Sequence, residues 1–456
     1  MAVPNKGALL QNDIGSTLYR MTVPMLFGML TLMSFNLVDT FFISLLGTHE
    51  LAAISFTFPI TFTMISLAIG LGIGTSAIIA KALGREQYDT ARADALAALW
   101  LAAFLMLLLS LLVWWFHDAL FRLLGASDDI LPLIRQYMLI WLAGAVFLMT
   151  PMIGNSILRA AGDTRLPAWI MATGGLVNAV LDPVLIFGLG PFPELGMQGA
   201  ALASVVSWLC GSLAVLFVLR QRQLVERCWL QLRQALPIYR KILRIGFPAA
   251  GANMLTPIAM AVLTAMVAGY GPEAVAAFGV GIRLESMACL VILALSTTLP
   301  PLVSQNYGAG LLGRVRQAYQ LSLGFIVRWQ LLVYVVLALL AIPLSRLFSA
   351  DPVVQQWIQW FLWILPLGYG LQGLIILTNS SLNALHLPLQ ALVLSICRLF
   401  VFYLPFAWLG SQFAGLVGLF IGCVLANLCM SALSYCWFHR ALQQLNQAQP
   451  QQEVTG

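Results

Sequence analysis

Apolar runs long enough to cross a bilayer follow one another along almost the whole chain, and no other feature restricts the fold so severely. A spanning helix needs about 20 mostly apolar residues. Cutting the sequence at charged residues and Gly/Pro breaks yields twelve such runs: 18–46, 52–82, 92–117, 130–159, 166–188, 198–220, 241–269, 273–304, 316–345, 353–385, 388–410 and 414–438. Of the 456 residues, 61% are hydrophobic and 9% charged, against roughly 25% charged in a soluble domain. A soluble core stops growing long before it can hide so much apolar surface, whereas a bilayer removes the difficulty. The expected class is all-α and polytopic. Several runs are longer than a perpendicular span needs, so they must tilt or kink.

The basic residues set the orientation. Of the 23 Lys and Arg, 17 fall on one side, from Lys6 and Arg20 through Arg220–Arg244 to Arg440, while only Arg122 and Arg346 fall in the opposite loops. Both termini are therefore expected in the cytoplasm, in a bacterial inner membrane, with an even number of spans. The net charge of +6 is scattered over short loops and forms no stripe for nucleic acid. No apolar segment of signal-peptide type precedes Arg20. The cysteines show no CxxC pair and read as small packing residues.

The chain also repeats itself at an offset of 224 positions. Arg20, Pro24, Thr40, Gly47, Ala52-Ala53, Gly84 and Arg92 fall on Arg244, Pro248, Thr264, Gly271, Ala276-Ala277, Gly308 and Arg316. Six helices fit into that offset, so the halves share one orientation, as in repeats related by an axis along the membrane normal. The expected organisation is a six-helix lobe at 1–220, a linker at 221–244 with an interfacial character given by Leu224, Trp229, Leu232 and Leu236, and a second six-helix lobe at 245–456. Two pseudo-two-fold-related bundles enclosing a V-shaped cleft suit alternating access.

Ionisable groups at membrane depth are costly and mark function. Three acids lie deep in the runs: Asp39, Asp182 and Glu285. Asp39 belongs to the first run, and its counterpart at the 224 offset is Leu263, so the acid is special to the first half. A carboxyl out of water resists staying charged alone, so it takes up a proton or a cation. Asn178 and Asp182 stand i, i+4 on one helix face, and Pro183 frees a backbone carbonyl near 179. Such oxygen ligands suit a proton network or Na⁺. Pro24 permits the first helix to bend about four turns before Asp39. Glu285 and Arg283, two residues apart, do not share a face and read as structural. Met33, Asn36, Tyr137, Met152 and Asn155, with Met149, Gln372, Asn379 and Asn383, are candidates for lining a substrate cleft. Gly72-Ile73-Gly74-Thr75-Ser76-Ala77 fits a dinucleotide-loop pattern, but inside an apolar helix it reads as close packing. No phosphate-binding loop for ATP, nucleophile–base pair or metal-ligand cluster emerges, so an enzyme is the least expected class.

With these residues in view, the chain resembles the multidrug and toxic compound extrusion (MATE) family. The likeness rests on Val23-Pro24, Asn36-Leu37-Val38-Asp39-Thr40-Phe41-Phe42-Ile43, Ala80-Lys81-Ala82-Leu83-Gly84, and Leu158-Arg159-Ala160-Ala161-Gly162-Asp163-Thr164-Arg165. Within the family it is similar to the DinF-type prokaryotic branch. That resemblance implies a coupling site in the first half, made of Asp39, Asn178 and Asp182, with Ser204 as the sixth-helix hydroxyl. The NorM-type branch places an acid in the seventh helix, and residues 241–269 hold no Asp or Glu.

The expected function is secondary antiport. Amphipathic, often cationic, organic compounds leave in exchange for H⁺ or Na⁺, with no further cofactor. The partners are those substrates and the bilayer, without nucleic acid, and the protein is expected to act as a monomer. Two alternatives stay open: a lipid-linked or bile-salt-like amphiphile exporter, and a non-transporting membrane sensor or scaffold.

Overall fold

The computed structural model describes residues 8–226 and 232–448. Lys6, Cys228 and Trp229 lie outside that range, as do the side chains of Asn36 and Leu232. Every element among the described residues is helical. The physical cause is the absence of water at membrane depth: each backbone N–H and C=O must be satisfied within its own helix. Hydroxyls in the spans follow the same rule, as Thr31, Ser34 and Thr63 donate to the carbonyls of Phe27, Leu30 and Pro59 one turn back.

The first six long helices are α1 (Ile14–Ser44), α2 (Thr48–Gly84), α3 (Tyr88–Trp115), α4 (Leu131–Ala160), α5 (Arg165–Ile186) and α6 (Met197–Gln221). Next comes α7 (Leu232–Ala268), and then α8, composed of Pro272–Ala288 and Leu290–Gly308 bent by 42° at Cys289. α9 is Leu312–Leu339, and α10 joins Pro352–Ile364 to Tyr369–Ala384 through the 3₁₀ turn Leu365–Gly368. α11 begins as Pro388–Ile396 and passes through a π-helical stretch, Cys397–Tyr403. A continuous helical run from there breaks at Ala414-Gly415, where Gly415 has φ 60°. The break ends α11 and starts α12, which runs over 416–448. Ten helices are long and apolar enough to cross a membrane on their own, and the bent α8 adds another. With the Pro388–Gln447 run divided at its break, the count is twelve.

By internal contacts the described chain divides into two compact units, 8–11 with 20–250, and 12–19 with 251–448. The boundary falls inside α7, so residues 232–244, expected in a linker, begin a helix that continues through the seventh span.

Inside the first unit, α4 and α6 form the tightest seam. Trp141 meets Trp208 edge to face at 5.3 Å, the Ser212 hydroxyl donates to the Phe147 carbonyl at 2.8 Å, and Val205 and Val215 fill the space over Gly144 and Gly154. The Gly72-Ile73-Gly74 run packs as the sequence suggests: Gly72 faces Ser156 of α4, and Gly74 faces the Ile242 carbonyl of α7.

The 224 offset is written into the helix limits. Helices start at Thr48 and Pro272, and at Tyr88 and Leu312; they end at Ser44 and Ala268, Gly84 and Gly308, Trp115 and Leu339, Ala160 and Ala384. The left-handed residues recur too. Gly47 pairs with Gly271, Glu86 (φ 60°) with Gly310 (φ 76°), and Gly162 (φ 86°) with His386 (φ 62°). Two of these turns thus place a residue with a side chain where the other half uses glycine.

Candidate functional site

The site assembles where α1 crosses α5. Gly28 of α1 lies against the backbone of Ala168, where an added Cβ would sit 2.9 Å from its Cα. One end of the contact is therefore fixed by a missing side chain. At the other end the ring of Phe35 packs directly onto Gly175. Phe35 and Asp39 are i, i+4 on α1, so the face that docks on Gly175 also carries the acid toward α5.

There the carboxyls of Asp39 and Asp182 stand in hydrogen-bond contact. Asn178 donates its amide N–H to Asp182 Oδ1 at 3.2 Å, as their i, i+4 spacing requires. Asp182 is fully buried and Asp39 half-buried. Asp39 Oδ1 and Asp182 Oδ2 are buried and accept no N–H or hydroxyl donor. Two carboxyls in contact resist ionising together, which lets such a pair share a proton. Such an arrangement can hold and exchange a proton. Pro183 adds to its polarity, since it gives no N–H to the Ala179 carbonyl one turn before it.

Tyr137 of α4 is buried close enough to feel both carboxylates. It was expected as a cleft residue; its place beside the acids needed the α4 packing, which spacing does not show. Ser204 sits half-buried on α6, and no hydrogen bond joins it to the carboxyl pair. Met33 is half-buried on α1, six residues before Asp39, or about 9 Å along the helix. Asn36 lies on the same helix. Met152 and Asn155 stand 15 and 18 residues beyond Tyr137 on α4, roughly 22 and 27 Å away along its axis. Asn155 is buried with its carbonyl oxygen unpartnered. Pro24, half-buried, lies within the unbroken α1. In the second half Arg283 is exposed and forms no pair with Glu285, which accepts instead from Gln372 Nε2 at 3.3 Å.

Among the described residues, twelve membrane-length helices in a tandem repeat, with two acids in contact in the first half, define a multi-spanning membrane carrier. The chain belongs to the MATE family: the MatE family model matches it twice, over residues 24–184 and 248–409. The two matches begin 224 positions apart, on Pro24 and Pro248. A curated relative from Shewanella oneidensis, an FAD transporter, is 44% identical over 94% of this chain and 96% of its own length. A probable multidrug resistance protein NorM from Thermotoga maritima is 25% identical, covering 93% of this chain and 92% of its own. Among solved structures, the Vibrio cholerae MATE transporter VcmN in its bent form matches with a TM-score of 0.91 and 35% identity, over 95% of this chain and 98% of that one.

Proposed function

We propose that this MATE transporter is a proton-coupled antiporter that expels amphipathic aromatic organic compounds across a bacterial inner membrane, with both termini in the cytoplasm. The observation that carries the reading is the contact between the Asp39 and Asp182 carboxyls. Such a pair exchanges a proton without needing another ligand. A Na⁺ site would need several oxygens converging on a cation, and mutual hydrogen bonding uses the carboxyls against each other, so H⁺ is the favoured ion. Relatives named for multidrug export and for FAD transport support a substrate range of large, ring-bearing organic molecules, cationic or anionic.

The working cycle follows from linkage. Protonation of the pair from outside and substrate occupancy oppose one another, and the opposition is reciprocal. Neutralising Asp39 lets α1 bend, and Pro24 is where it bends. The lobes 1–220 and 245–456 then alternate access, as a monomer. Each charge moved gains roughly 2.3 kcal/mol per 100 mV of membrane potential.

Efflux of ethidium and of FAD from reconstituted vesicles, under a pH gradient and then under a Na⁺ gradient, tests this. Export driven by the pH gradient and lost in Asp39→Asn and Asp182→Asn is the expected result. Variants that pump like wild type would remove the coupling site from this pair.

A further inference from the structure

Where the second unit departs from the repeat, it departs around one point. α8 is broken at Cys289, α10 is interrupted by the 3₁₀ turn Leu365–Gly368, and α11 is wound as a π-helix over Cys397–Tyr403. At the 224 offset these places correspond to 65, 141–144 and 173–179, all inside unbroken α-helix in the first half. Irregular backbone at membrane depth persists where it serves a polar interior or cavity, and π-helical turns concentrate at functional sites.

The side chains at these irregularities form one polar cluster inside the second unit. Glu285 lies one turn before the α8 break, whose freed Ala288 carbonyl accepts from Gln330 Nε2 at 3.0 Å. Tyr369 follows the 3₁₀ turn, Gln372 bonds Glu285, and Arg398 and Tyr403 sit on the π-helical stretch. Tyr403 contacts the Cys423 thiol of α12. The offset positions in the first half are Thr61, Ala145, Leu148, Gly174 and Ala179, so this chemistry is not part of the shared scaffold.

Arg398 is the unfinished member. Its charge is felt by Glu285 and Tyr403, yet it makes neither a hydrogen bond nor a close ion pair with any described residue, and its Nε is buried without a partner. The Tyr369 hydroxyl is likewise buried and unpartnered. A structural ion pair would close on itself, because an unmatched guanidinium in an apolar interior is costly. Glu285, Gln372, Arg398 and Tyr403 each keep part of their surface exposed.

We infer that Arg398, with Tyr369 and Tyr403, is an anchor for the phosphate or carboxylate group of an organic anion carried as substrate, with Glu285 as the carboxylate that balances Arg398 when the site is empty. A guanidinium presents five N–H donors in a fork that matches such groups. The inference rests on the carrier reading above, but concerns the second unit alone.

Binding to the purified full chain tests it apart from coupling, with FAD, riboflavin and inorganic pyrophosphate as probes. Wild type binds FAD more tightly than riboflavin, and pyrophosphate competes. Arg398→Gln weakens FAD by about tenfold or more, the equivalent of one lost charge-assisted contact, and leaves riboflavin within about twofold. Arg398→Lys recovers part of the loss. Should Arg398→Gln fail to fold, Glu285→Gln, which removes the competing carboxylate, raises FAD affinity severalfold. An FAD-to-riboflavin ratio that survives Arg398→Gln, an unchanged affinity in Glu285→Gln, or no binding of any probe overturns the anchor. Nanodiscs of neutral and anionic lipid separate the sources of the anion, and loss of FAD binding in anionic lipid overturns the substrate assignment in favour of a headgroup. A protein that binds FAD through Arg398 but shows no gradient-driven flux would overturn the antiport reading and leave this site standing.

Discussion

Under the antiport proposed above, the carboxyl contact limits the coupling to one proton per cycle. Asp39 and Asp182 touch, so while they stay together the pair holds at least one proton, and it exchanges only one more between its singly and doubly protonated forms. With the membrane potential clamped at zero, one proton per substrate makes the final substrate ratio equal the proton ratio. A gradient of one pH unit then concentrates substrate about tenfold on the acidic side, equivalent to about 1.4 kcal/mol; two protons would give about 100-fold. Substrate charge drops out under the clamp, so FAD and ethidium should reach the same plateau. The assay is the plateau ratio in reconstituted vesicles over gradients of 0.5–2 pH units (about one decade per unit is expected), with wild type, Asp39→Asn and Asp182→Asn side by side. Each variant lacks one half of the shared proton site and should plateau at a ratio near one. A slope of two decades per unit in wild type would show that the carboxyls separate and both empty during the cycle. A wild-type slope retained by either variant would refute the pair as the coupling unit.

Three further outcomes follow from the packing. Gly175→Val drives side-chain atoms into the Phe35 ring; an overpacking cost of about 1–3 kcal/mol should lower Tm and weaken coupling, and Phe35→Ala in the same chain should restore both, which a defect unrelated to this contact would not do. Glu86 holds a left-handed conformation that the repeat gives to Gly310, so Glu86→Gly should raise stability by roughly 0.5–1 kcal/mol while Gly310→Ala lowers it; a reversed order in thermal unfolding would show that the Glu86 side chain compensates its strain. Outside the spans, the hydrogen bond from His117 at 2.9 Å holds the Asp118 carboxyl below its ordinary value of 3.8, so its contribution is present above that value and lost as pH falls through the lower folded value; acid-unfolding curves of Asp118→Asn and wild type should merge at low pH and separate above about pH 4, and parallel curves would refute the linkage.

The fold was largely legible because the bilayer imposes length and apolarity on every span, and the 224 repeat supplies a second, independent measure. Helix limits such as Tyr88–Trp115 and Leu312–Leu339 simply express that offset. What the sequence does not display is the interruption of a helix that stays apolar. Nothing in Cys397–Tyr403 announces a π-helical turn, and the α8 bend at Cys289 carries no proline. The acids Asp39 and Asp182 stood out as costly residues in apolar runs, yet their contact depends on Phe35 docking on Gly175, a meeting of residues 140 positions apart. Tyr137 was legible as a polar tip in a helix, but only the α4 packing puts it beside the acids. The spacing of Arg283 and Glu285 already turns them apart in sequence, but the partner of Glu285, Gln372, comes from another helix and no local pattern shows it.

A duplicated scaffold whose halves differ in their polar interiors suits the division of work in the proposed coupled carrier. The first unit keeps regular helices and adds two acids in contact with one another, where the second has Leu263 in place of Asp39, buried and apolar. The second unit gives up helical regularity at three places and gains an arginine without a partner, where the first has Gly174. Each departure is costly in an apolar interior, since a carboxyl resists ionisation there and a guanidinium cannot lose its charge. Such costs are tolerated where a mobile species satisfies the group during the cycle, the part proposed above for a proton at the acid pair and for an anionic group at Arg398. On that proposal, placing the two on different units lets one bind its ion while the other releases its ligand, which is the condition for exchange rather than leak.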